Sequence, residues 1–141
     1  MLQLKNLLVP LDFSEKNGTA VDIALDLARA NKAHITLLHV IENIDLQGDN
    51  EVDSFELQLQ ERATRNLEKI AHKLQAAGAT VDFVTRFGKR AREIALYQKD
   101  HGIDLIVMSS HPIDAEDPAR SLATLSYQVA VLASCHVMLV K

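Results

Sequence analysis

Residues 7–11 (LLVPL), 35–40 (ITLLHV), 103–108 (IDLIVM) and 137–140 (VMLV) are short, nearly unbroken apolar runs. Each is too short for a buried helix, and the lack of alternation suits a parallel strand covered on both faces. Residues 81–87 behave differently. Positions 81, 83, 85 and 87 share one side while Asp82 and Arg86 fall on the other, which predicts a half-exposed edge strand. Helical spacing fills the intervals: Ala20, Ala24, Leu27 and Ala28 in the first, then Phe55, Leu59, Ala63, Leu67, Ile70 and Leu74 in the second. Ser14, and either Asp53 or Ser54, are expected to cap these helices, with Gly78 ending the second. Two more helices are expected, at about 89–99 and from Asp117 or Pro118 to Ala133, Pro118 suiting a first turn. Residues 43–53, rich in Asp, Asn and Gly, read as a polar loop with rapid amide exchange.

Strand and helix thus alternate to the end of the chain, which implies one α/β domain over residues 1–141, built on a parallel sheet with right-handed crossovers. The expected architecture is a five-stranded doubly wound sheet of order 3-2-1-4-5 with four helices, the order of flavodoxin-like and adenine nucleotide alpha hydrolase-like folds. Ligands of such sheets bind beyond the carboxyl ends of the first and fourth strands. Pro10, Leu11, Asp12 and Phe13 follow the first, Met108 closes the fourth, and Ser109, Ser110, His111 and Pro112 follow it; Val40 and Ile41 of the second strand complete the rim.

Fifteen basic against nineteen acidic residues leave a net charge of -4, so no phosphate-neutralising surface for nucleic acid is implied. No apolar run approaches the roughly 18 residues that cross a membrane. A single cysteine, Cys135, cannot form an internal disulfide, and the start lacks a basic segment followed by an apolar core; a cytoplasmic location is expected.

The opening LLVPLDFS (7–14), LLHV in the second strand (37–40), Phe87-Gly88 ahead of Arg92-Glu93-Ile94, and DLIVMSSH (104–111) together resemble the universal stress protein family. The likeness runs to CHVMLV (135–140), where the family usually has a cysteine-proline. Many members bind ATP through three glycines, the second after two intervening residues, the third after nine more and followed by Ser or Thr. Carried over, the first glycine falls on Ser109, the second on Pro112 and the third on Ala123, with Thr124 as the hydroxyl residue and ten residues instead of nine between 112 and 123.

All three glycines are replaced. Proline also lacks the N–H that would face a phosphate, and a charge-assisted hydrogen bond is worth about 1.5 to 3 kcal/mol. Asp114, Glu116 and Asp117 crowd the loop, with Arg120 opposed. Two lost contacts correspond to roughly 100- to 10,000-fold in affinity. What survives is an adenosine end at Asp12 and Val40 and the hydroxyls of Thr124 and Ser126 beside Leu125. The expectation is therefore a non-catalytic stress-response module with a vestigial nucleotide site and no cofactor. Its alternative is a switch binding ATP or AMP with magnesium, with or without slow hydrolysis. The resemblance also implies a homodimer through the last strand, 136–141; a protein partner is not identifiable from sequence.

Other chemistries fit less well. Cys135 and His136 are adjacent, so entering a strand they point to opposite faces, and Cys135 reads as a buried structural cysteine. The six histidines show no metal-ligand spacing, and His39 reads as a core histidine with its ring hydrogen-bonded. Asp12 is divided between a loop cap and a ligand contact, while Ser109 and Ser110 read as strand-end hydrogen bonders and His111 as an exposed loop histidine. A phosphorelay receiver needs an aspartate where Arg86-Phe87-Gly88 stands. A flavodoxin would want a Ser/Thr/Gly-rich loop in place of Asp12-Phe13-Ser14-Glu15-Lys16. An adenylyl-transferring enzyme of similar fold would carry a histidine-glycine or serine-glycine signature near the N-terminus, and none is present.

Overall fold

The structure is a computed structural model that describes residues 2–42, 50–110, 115–117, 119–120 and 124–141. Its elements in order are β1 (Asn6–Pro10), α1 (Asn17–Asn31), β2 (His34–Ile41), α2 (Asn50–Ala76), β3 (Thr80–Phe87), α3 (Arg90–Asp100), β4 (Leu105–Ser109), α4 (Leu125–Leu132) and β5 (His136–Val140). All strand pairs are parallel and the sheet order is β3-β2-β1-β4-β5, as expected.

Period-two alternation divides the continuous apolar runs between two cores. Leu7, Val9, Ile35, Leu37, Leu105 and Val107 face α1 and α2, whereas Leu8, Leu38, Val40, Ile106 and Met108 face α3 and α4. Ala20, Ala24 and Ala28, one turn apart on α1, are all buried and let that helix lie close on the sheet. At the β3 edge the side chains are more exposed, and His34 Nε2 meets Asp82 Oδ2 at 2.7 Å across β2 and β3. Gly78, with φ +96°, ends α2 as expected; the Ala79 amide reaches back to the Leu74 carbonyl at 3.1 Å.

Helix starts differ from the sequence expectations. Ser14 does not cap α1: the Asp12 carboxylate takes the Ser14 amide in a local turn, and α1 starts at Asn17 with Lys16 as an N-cap that makes no side-chain bond. Asp53 and Ser54 lie inside α2, so residues 50–53 of the expected polar loop are helical; 43–49 lie outside the described residues. The last helix starts at Leu125 instead of 117 or 118. Thr124, extended at φ −72° and ψ 150°, caps its start, and its Oγ1 accepts the Tyr127 amide at 3.4 Å. Asp117 takes the Arg120 amide at 3.3 Å, and residues 119 and 120 are helical; Pro118 and residues 121–123 lie outside the described residues. Among the described residues no helix is long and apolar enough to cross a membrane.

Candidate functional site

A cavity of about 240 Å³ opens beyond the carboxyl ends of β1, β2 and β4, at the switch in strand order. Of the residues singled out in sequence, Pro10, Leu11, Asp12, Val40, Met108, Ser109 and Leu125 line it together. Thr124 and Ser126 flank Leu125 without joining the described lining; Thr124 caps α4 and Ser126 is buried. His111, Pro112 and Ala123 lie outside the described residues. Ser110, placed at this rim from the sequence, lines it as well, together with Ser14, Lys16, Asn17, Leu38, Arg90 and Ile94, which sequence reading did not place there. Ile94 carried a weak signal, being the inward position of α3. Lys16 and Arg90 reach the cavity only because the sheet order brings the β1–α1 loop and the start of α3 to one end.

The loop after β1 is organised by a buried asparagine. Asn17 Oδ1 accepts the amides of Asp12 at 2.9 Å and Phe13 at 2.8 Å, and its Nδ2 donates to Ser109 Oγ at 3.2 Å. Ser109 Oγ in turn donates to the Lys16 carbonyl at 3.2 Å. The first expected glycine position is thus filled by a hydroxyl that ties β4 to the start of α1. Phe13 takes a left-handed φ of 65°, unusual for a bulky residue, and packs its ring 4.5 Å from that of His39.

The Asp12 carboxyl is exposed, yet its balance favours ionisation. Partial burial pushes its pKa up, but hydrogen bonds from the Ser14 amide and hydroxyl, the Asn17 side chain and its own amide outweigh this and hold it below the usual carboxylate value. His39 is half-buried, with Nδ1 2.7 Å from the Leu11 carbonyl, which fixes an Nδ1–H donor. Burial is the main influence lowering its pKa; the Arg90 charge adds to it, while the Leu11 bond and Asp12 oppose.

A lowered folded-state value means that the unfolded chain binds the proton more readily, so stability must fall as pH drops below the ordinary 6.5. Denaturant titrations are therefore expected to show stability declining from pH 6.5 towards 5, and His39→Gln should flatten this part of the profile. An identical slope in the variant would assign the decline to other groups.

Cys135 is half-buried, less enclosed than expected, and its Sγ lies 3.3 Å from the His136 carbonyl. Burial pushes the thiol pKa up, the backbone at Ile106 and Cys135 opposes this and the charge of Asp104 adds to it, which does not favour a nucleophilic thiolate. Among the described residues no group of three His, Cys, Asp or Glu side chains could hold a metal. An apolar floor of Leu38, Val40, Ile94 and Met108, rimmed by Asp12, Lys16 and Arg90, suits binding of a small ligand with a flat apolar part and a polar end.

A parallel doubly wound sheet with its cavity at the switch point defines an α/β ligand-binding module. The model of the universal stress protein family matches residues 3–141, and the chain belongs to that family. It is 26% identical over 145 residues to the universal stress protein YxiE of Bacillus subtilis, covering 96% of this chain and 97% of the relative. With the universal stress protein MJ0577 of Methanocaldococcus jannaschii it shares 30% identity over 128 residues, 76% of each chain. A solved structure of MJ0577 superposes with a TM-score of 0.84 at 26% identity, covering 99% of this chain and 96% of that one. UspA from Lactobacillus plantarum shares the fold, with a TM-score of 0.80, 22% identity and 99% coverage of both chains.

Proposed function

We propose that this universal stress protein is a non-catalytic, dimeric, cytoplasmic stress-response module whose pocket retains the nucleoside end of a nucleotide site and has lost its grip on a triphosphate. One observation carries the reading. The Ser109 hydroxyl, at the position where the family resemblance puts the first phosphate glycine, is already engaged by Asn17 Nδ2 and the Lys16 carbonyl. A β-carbon and a committed hydroxyl therefore stand where a backbone amide would turn towards phosphate. The Ser14 hydroxyl meets the Asp12 carboxylate at the cavity, but the lowered pKa of Asp12 makes it a weak base, which supports binding without turnover.

A second reading draws on Lys16 and Arg90. Two cations at the rim of an apolar pocket suit a nucleoside monophosphate, which needs far less of the glycine loop than ATP does. Two proteins of the same fold were solved in complex with cAMP and with dAMP, at 19% and 12% identity to this chain.

Calorimetric titration separates the two. Magnesium-ATP is expected to dissociate well above 10 micromolar; binding at or below about 10 micromolar, roughly 7 kcal/mol, would overturn the first reading. AMP binding tighter than ATP binding would establish the second. Glycine at 109, 112 and 123 together, with one residue deleted between 113 and 121, is expected to recover part of the ATP affinity.

A further inference from the structure

A second cavity, of about 480 Å³, lies on the α1–α2 face of the sheet and is lined by both helices and by Phe13 and Ser14 of the loop before α1. Its origin is in the packing. The alanines of α1 seat that helix deep on the sheet, and only its flank, Val21 and Leu25, turns towards α2. The facing side of α2 presents Ile70 and Leu74. On the opposite face of the sheet α3 and α4 pack against each other, whereas α1 and α2 leave a groove. Val21, Leu25 and Ile70 are half-buried, so the floor is apolar and still reachable.

The rim is polar and carries a sign. Lys69 and Lys73, one turn apart on α2, border the groove, with Asp22 as the one acid on the described lining. All three are exposed, and neither lysine makes an ion pair among the described residues. An apolar floor beneath an excess of unpaired cationic side chains is complementary to an amphipathic anion, with its tail on Val21, Leu25 and Ile70 and its charged end at the lysines.

We propose that this groove is a second ligand site, distinct from the switch-point cavity, that takes a free single-chain amphipathic monoanion of the medium-chain fatty carboxylate class. The two cavities share Ser14 and Asn17, so the β1–α1 loop forms the wall between them.

The probe is decanoate titrated into the intact protein, with decanol as the neutral counterpart, followed through methyl resonances. Saturable shifts are expected at Val21, Leu25 and Ile70, with decanoate bound more tightly than decanol. Lys69→Gln with Lys73→Gln should weaken decanoate by roughly 2- to 30-fold, as two exposed charge pairs allow, and leave decanol unchanged. Shifts confined to Leu38 and Ile94 would place the ligand in the switch-point cavity and overturn the proposal. So would equal affinities for the two probes, no saturation at millimolar decanoate, or a double variant that binds decanoate as the native chain does. The methyl shifts and the decanoate–decanol comparison are read on the native protein, so those outcomes do not depend on the variant's fold.

Discussion

Asn17→Ala is expected to lower the stability of the protein by about 3 kcal/mol, the largest effect of any single change near the cavity that leaves the apolar core intact. Asn17 is buried, and its carboxamide serves the Asp12 amide, the Phe13 amide and the Ser109 hydroxyl. Truncation leaves two partly buried N–H donors without a partner, each costing about 1 to 3 kcal/mol, and frees a loop whose Phe13 is held at an unfavourable φ. With an m-value of about 1 to 3 kcal/mol/M, the urea midpoint should fall by about 1 to 3 M. If the alanine variant unfolds within about 1 kcal/mol of the native protein, the asparagine is not what holds this loop.

The same residue shows why the fold was legible in sequence and the site only in part. Strands declare themselves through runs such as 35–40, because a parallel strand covered on both faces has no polar option, and β3 declared its edge through Asp82 and Arg86. Asn17 gave no such signal, since a lone polar residue at a helix start looks like an exposed one. Its burial depends on Ser109, 92 positions away. Lys16 and Arg90 were hidden likewise, as their approach to one cavity follows from sheet order and not from local pattern. The start of α1 was misplaced for a local reason: Asp12, not Ser14, takes the open backbone amide of the loop, and the last helix is capped at Thr124, which accepts the Tyr127 amide.

Under the proposed pairing of two copies through β5, Leu139→Pro is expected to convert a dimer to a monomer at micromolar concentration. β5 is the outer strand next to β4, and the exposed apolar side chains of Val131 and Leu132 on the neighbouring α4, with Met138 on β5 itself, make this the apolar end of the sheet. The other edge, β3, carries Asp82 and Arg86, whose charges disfavour pairing. A two-fold axis beside β5 would run two copies of it antiparallel and bury both edges. The ladder identifies which amides are available. The Ser110 amide donates to the Val140 carbonyl at 2.8 Å, so the backbone groups of Val140, and by alternation those of Met138, face β4. Those of Val137 and Leu139 face outwards. Proline at 139 therefore removes an outward donor while sparing the bonds to β4, whereas Met138→Pro strikes the sheet itself and should chiefly lower stability. Symmetry counts the loss twice, at about 1 to 3 kcal/mol each, which weakens association by roughly 30- to 30,000-fold. Light scattering of the native chain and of both variants checks this. A native protein that is monomeric at micromolar concentration, or a Leu139→Pro variant that remains dimeric while Met138→Pro dissociates without unfolding, would move the interface away from the outward face of β5.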